Sequence, residues 1–146
     1  RTLSSMAVFP RTASVGNPPK SSPCLEYSVY ITNSGELAVT IYTAPSNNID
    51  RKRGLCYGIS FDGQPVQIVD TFPKENDAFY TSPLWSENVM DNIRKTTTKH
   101  YINTSGVHTL KFWMVDPSVV LQKIVIDTGG EKPSFLGPPE SYYVSS

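Results

Sequence analysis

Three carboxylates, Glu87, Asp91 and Asp116, fall near loops or strand ends, where a pair of them could act as acid and base on a glycosidic bond. A chain with 13 acidic residues among 146 supplies such pairs by chance, and Asp62 and Asp116, which precede Gly63 and Pro117, read as turn residues. The two histidines, His100 and His108, have no serine or cysteine spaced as a nucleophile held by a third group. His108 reads as an exposed or hydrogen-bonded strand residue. No GxSxG, HExxH, GxGxxG or P-loop pattern occurs. Cys24 and Cys56 lack a CxxC partner or paired histidines, so they cannot close a zinc site. They read as small, mostly buried thiols, with a disulfide between them open in an oxidising compartment. None of this is an enzyme signature.

Aromatic and cationic side chains are more informative. Trp85, Tyr80 and Tyr57 lie in or beside irregular segments, and rings so placed can stack on amphipathic ligands such as sugars, or else fill a core. Trp113, inside a long apolar run, reads as core. The cluster Arg51-Lys52-Arg53 and the pair Arg94-Lys95 form either a solvated face or a site for carboxylate-bearing ligands, which arginine binds in bidentate fashion. Asn103-Thr104-Ser105 is an N-glycosylation sequon, relevant to a secreted eukaryotic chain.

The elements that must position these residues have a period of two. Leu25, Tyr27, Val29 and Ile31 alternate with Cys24, Glu26, Ser28 and Tyr30, as a half-buried strand requires. Asn33-Ser34-Gly35 then turns the chain into Leu37, Val39 and Ile41, which predicts a hairpin or meander. Leu55, Tyr57, Ile59 and Phe61 form another alternating set, closed by Asp62-Gly63 before Val66 and Ile68. Strands are also predicted over 89–102, 107–115 and 121–127, while 71–83 reads as an ordered loop. Proline-rich stretches at Asn17-Pro18-Pro19 and Gly137-Pro138-Pro139 mark an N-terminal loop and an exit linker. Short strands between turn signals predict an all-β sandwich or jelly roll.

Composition bounds the partners. The chain is long enough for one domain with a single core, spanning residues 1–146 with a C-terminal extension over 134–146. Its 13 basic and 13 acidic residues cancel, which argues against nucleic acid. No run approaches the length of a membrane-spanning helix, so no membrane partner is expected. The first residue is Arg1, with no signal-peptide pattern after it, and the chain reads as excised from something longer or already processed.

Two resemblances sharpen this picture. The stretch Leu25–Ile31, Gly35 and Leu37–Tyr42, the turn Phe61-Asp62-Gly63-Gln64-Pro65, and Gly106–Leu110 resemble galactose-binding-like modules, including carbohydrate-binding module families 6 and 35. More specifically, Lys111–Asp127, Ser134–Ser141 and Asp91-Asn92-Ile93-Arg94 resemble the C-terminal domain of glycoside hydrolase family 115. That family comprises α-glucuronidases that remove (4-O-methyl)glucuronic acid from xylan, and its catalytic domain is absent from this chain.

The resemblance implies a galactose-binding-like β-sandwich accessory domain without activity of its own, whose partners are xylan or glucuronoxylan and a parent catalytic domain. Such modules often carry an Asn near the last strand to hold sugar, where this chain has Val120-Leu121-Gln122-Lys123. They often hold structural calcium through acids of the first and last strands. Asp127 matches the latter, but residues 4–13 contain no acid, so neither a metal nor another cofactor is expected. As a binding module, the domain would use Trp85 and Tyr80 as platforms, with Asn92, Arg94, Arg53 and Tyr57 supplying hydrogen bonds, charge and further contact. As a structural domain it would pack on the catalytic part or mediate dimerisation. Either way the parent class implies a secreted, periplasmic or cell-surface location.

Overall fold

The alternating segments become eight strands among the described residues: β1 (Met6–Ala7), β2 (Cys24–Ile31), β3 (Gly35–Thr43), β4 (Cys56–Phe61), β5 (Gln67–Asp70), β6 (Arg94–Ile102), β7 (Gly106–Met114) and β8 (Val120–Asp127). The structure is a computed structural model and describes residues 4–46, 54–72, 93–130 and 137–143. It holds two four-stranded sheets, ordered β1-β8-β3-β6 and β2-β7-β4-β5, with every strand pair antiparallel. The expected all-β sandwich is what forms. The facing apolar sets meet between the sheets: Ile31, Ile59, Phe61 and Leu110 from one, and Leu37, Val39, Ile41 and Ile102 from the other, all buried. Each such side chain contributes about 1.5–3 kcal/mol when fully removed from water.

The hairpin expected between β2 and β3 does not form. Ile31 pairs with Gly106 of β7 and Gly35 with Ile102 of β6, so the turn at 32–34 carries the chain from one sheet to the other. A tight turn specifies a reversal of direction only. Whether the next strand joins the same sheet is set by its distant partners, here β7 for β2 and β6 with β8 for β3. Among the described strands, β4 and β5 are the successive pair that do share a ladder, around the predicted Asp62-Gly63 turn. The strand predicted over 89–102 is seen from Arg94 onward, positions 89–92 being outside the described residues.

Both outer faces carry covering segments. Trp113 is buried as expected, but not between the sheets: it lies opposite Cys24 and Gly58 on the outward face of β7. Pro18 and Val66 lie beside it, and its Nε1 donates to Ser60 Oγ at 3.0 Å. On the other sheet, Gly137 (φ +73°) packs on Tyr42 and Val125, and Lys123 Nζ donates to the Pro138 carbonyl. Of the extension over 134–146, Gly137 and Pro138 therefore rest on the sandwich, while Pro139 to Tyr143 are exposed.

The cysteines are free thiols, both half-buried. Strand β7 separates Cys24 on β2 from Cys56 on β4. Two strand spacings of about 4.8 Å put them beyond the roughly 7 Å Cα separation that a disulfide can bridge.

Candidate functional site

The register sorts the connections by end. At one end lie the short turns 32–34, 62–66 and 103–105, next to the pairs Ile31↔Gly106, Gly35↔Ile102 and Phe61↔Leu110. At the other lie Cys24↔Trp113, Thr43↔Arg94, Cys56↔Asp70 and Met6↔Leu121. The three longest connections, 8–23, 44–55 and 71–93, are rooted at this second end. All six residues expected to contact ligand belong to it or to these connections. Arg53, Tyr80, Trp85 and Asn92 lie outside the described residues; Tyr57 and Arg94 lie within them.

The roots are held by carboxylates and hydroxyls. Asp70 Oδ1 accepts from Leu55 N at 3.1 Å and from Phe72 N at 2.9 Å. Thr71 donates to the Leu55 carbonyl from its backbone N at 2.9 Å and its Oγ1 at 2.8 Å. Asp116 Oδ2 accepts from Cys56 N at 2.7 Å, and Asp116 N returns a bond to the Cys56 carbonyl at 2.9 Å. Asp116, examined in the sequence as a hydrolytic carboxylate, thus ties the β7–β8 connection to β4, as a turn residue can. These bonds fix where the long connections start and stop.

Tyr57 and Arg94 are both drawn inward. Tyr57 is wholly buried, stacks on Phe112 at 5.0 Å between centroids, and its hydroxyl meets Thr96 Oγ1 across the core at 2.6 Å. Burial pushes its phenol up to about 12, against a smaller opposing effect of that hydrogen bond. A stacking platform needs an open ring face, and here both faces of Tyr57 are covered. Arg94, on the inward side of β6, is 6% exposed and holds its guanidinium carbon 3.9 Å from the centre of the Phe72 ring. Cation–π packing of this kind anchors Phe72 at the mouth of the 71–93 connection.

Between β1 and the second sheet at this same end is an apolar cleft of about 90 Å³, walled by Met6, Ala7, Leu25, Tyr57 and Phe112, with Asp116 at its rim. Ligand sites run to roughly 300–1,000 Å³, so the cleft by itself is too small for a sugar ring. No group of three or more His, Cys, Asp or Glu side chains able to hold a metal occurs among the described residues.

Sequence reasoning passed over the exposed rings on strands. Tyr30 and Val107 are cross-strand neighbours on the outward face of β2 and β7, each 70% exposed, and Tyr101 projects from β6. The alternation already puts Tyr30 with Glu26 and Ser28 on the polar face, which was the available signal.

Comparison with known proteins agrees with this architecture. Residues 1–140 match the glycosyl hydrolase family 115 C-terminal domain. Among solved structures, a family 115 4-O-methyl-α-glucuronidase with specificity for decorated arabinogalactans superposes with a TM-score of 0.63 at 17% identity. That match covers 89% of this chain and only 18% of the enzyme's. A family 35 carbohydrate-binding module from Clostridium thermocellum gives a TM-score of 0.53 at 19% identity, covering 78% of this chain and 75% of the module. A family 35 module from an environmental isolate gives 0.52 at 10% identity, covering 94% and 93%. At such identities the structural likeness speaks for the fold. No curated protein matches.

Proposed function

Since the chain belongs to the glycosyl hydrolase family 115 C-terminal domain family, we propose that it is a non-catalytic carbohydrate-binding module for a uronic-acid-bearing plant cell-wall polysaccharide, glucuronoxylan first. The observation that carries the reading is the convergence of the three longest connections, 8–23, 44–55 and 71–93, at one end of a sandwich built like family 35 carbohydrate-binding modules. Long connections on a rigid scaffold are where binding residues concentrate. Trp85 and Tyr80 act as platforms, and Asn92 and Arg53 add hydrogen bonds and positive charge. The domain works outside the cytoplasm, as part of a larger glycosidase.

Affinity electrophoresis and calorimetry against glucuronoxylan, deacidified xylan and a decorated arabinogalactan at low salt test this reading. Saturable binding is expected for the uronic-acid carriers, weaker than about micromolar, falling with salt and lost in Trp85→Ala. Retention of a folded sample by none of these polymers overturns it. A second reading, a domain that packs on its catalytic partner, draws on the exposed Tyr30–Val107 pair, since adjacent apolar side chains on an outer sheet face suit a protein contact.

A further inference from the structure

The two histidines meet opposite hydrogen-bonding chemistry. His108 Nδ1 lies 2.8 Å from Asp62 Oδ2, and its Nε2 lies 2.9 Å from the Thr104 carbonyl oxygen. An ionised carboxylate and a backbone carbonyl both only accept, whereas a neutral imidazole has a single N–H to give. In either neutral tautomer one ring nitrogen would point its lone pair at an oxygen. The imidazolium alone satisfies both contacts.

The acceptor geometry is built rather than accidental. Asp62 occupies the left-handed region at φ 48°, which short polar side chains tolerate better than others. Its Oδ1 accepts from Thr109 N at 2.8 Å, and its own N donates to the Thr109 carbonyl at 2.8 Å. The carboxylate is therefore fixed before His108 reaches it. Burial opposes its ionisation, but the Thr109 and His108 hydrogen bonds and the charges of His108 and Lys111 outweigh this and hold its carboxyl below the usual range. Among the described residues, the groups beside His108 other than Asp62 are Val29 of β2, directly opposite and apolar, Thr104, which offers only its carbonyl, and Lys111 of β7, engaged by Glu26 of β2 at 2.9 Å.

We propose that protonated His108 is a pH-sensitive clamp that ties the β4–β5 turn to the β6–β7 turn, at the end of the sandwich opposite the candidate binding end. When the proton leaves, one of the two contacts must open, and the 103–105 turn loses its tie to Asp62. The hydrogen bond to Asp62, that to Thr104 and the Asp62 charge raise the imidazole above 6.5, against a lesser effect of desolvation. The stabilisation is thus complete below 6.5 and disappears as pH climbs through the raised folded value.

His100 is an internal control. Its Nδ1 lies 3.3 Å from Gln67 Nε2, an amide whose orientation is set by a second bond to the Lys99 carbonyl at 2.8 Å. Its Nε2 meets Thr98 Oγ1 at 2.9 Å. A donor faces one nitrogen, so a neutral ring is satisfied, and burial lowers its affinity for a second proton.

Imidazole 15N and 13C NMR on the intact chain, from about pH 5 to about pH 9, separates the two rings. One histidine is expected to titrate above 6.5, with both nitrogens protonated at the start of its transition, and the other below. His108→Asn assigns the upper signal by removing it, and Asp62→Asn moves the upper midpoint down. Amide exchange at Thr104 to Val107, corrected for intrinsic rate, should rise through the upper midpoint in the native chain. A native His108 that titrates at or below 6.5, or is a single neutral tautomer at the acid side of neutrality, overturns the proposal. The native spectrum decides the matter even if a variant fails to fold.

Discussion

Tyr57→Phe removes one hydroxyl and leaves the buried, Phe112-stacked ring in place. The lost contact is the 2.6 Å bond to Thr96 Oγ1, which links β4 to β6 across the core. A net hydrogen bond contributes about 0.5–1.5 kcal/mol, and Thr96, only half-buried, has other partners within reach through solvent, so the cost falls near 1 kcal/mol. Thr96→Val is expected to cost more, about 1–3 kcal/mol, because it strands the phenol in the interior. The double variant should then fall short of the sum by about 1 kcal/mol. Urea unfolding at neutral pH measures this as a change in midpoint at constant m, alongside a Tm lower by about 2–5 °C for the single Phe variant. Alkaline titration gives a second readout. A phenol raised from 10.0 to about 12 stabilises the fold fully below 10, and on the order of 3 kcal/mol is lost as pH rises through 12. Tyr57→Phe should abolish that alkaline loss. Polysaccharide retention should be unaffected. An unchanged urea midpoint together with lost retention would refute the assignment of Tyr57 to packing.

Two glycines give sharper local tests. Gly58→Ala would place a Cβ 2.7 Å from Val66 Cγ1 and 3.1 Å from Trp113 Cβ, so the cover over Trp113 must shift. A loss of about 1–3 kcal/mol is expected in urea unfolding, with an altered near-ultraviolet tryptophan signal. Gly137→Ala adds a Cβ 2.8 Å from the Tyr42 hydroxyl at a backbone angle of +73°. It should release the C-terminal strap, seen as faster proteolysis around 137–143, at a cost of about 1 kcal/mol or more.

What the sequence disclosed follows the reach of its signals. Strands β2, β3 and β4 were legible because alternation of apolar side chains is local, and β7 because it is one long β-rich run. Strand β1 pairs through two residues and leaves no periodic trace. Strand β6 reads Arg-Lys-Thr-Thr-Thr-Lys-His-Tyr-Ile, polar on both faces. Its inward side is polar because each residue there has a specific partner: Arg94 the Phe72 ring, Thr96 the Tyr57 hydroxyl, Thr98 His100. No pattern in β6 alone reveals partners on β4 and in the 71–93 connection. Sheet assignment was invisible for the same reason, since whether β2 pairs with β3 or with β7 is decided by distant strands.

Tyr57 shows two local signals in conflict. Its closeness to an irregular segment favoured a ligand contact, while its membership of the set Leu55, Tyr57, Ile59 and Phe61 favoured the core, and the alternation prevailed. The consequence is a division of labour at the candidate binding end. Tyr57 and Arg94 are committed to the interior, and Asp70, Thr71 and Asp116 to rooting the connections. On the proposed function, ligand contact at that end is made by Trp85, Tyr80, Asn92 and Arg53 of the two connections that Asp70 and Thr71 root. Trp85→Ala should therefore abolish polysaccharide retention without lowering stability, whereas Tyr57→Phe should do the reverse. A module in which both variants lost retention in step with stability would have its binding surface elsewhere on the sandwich.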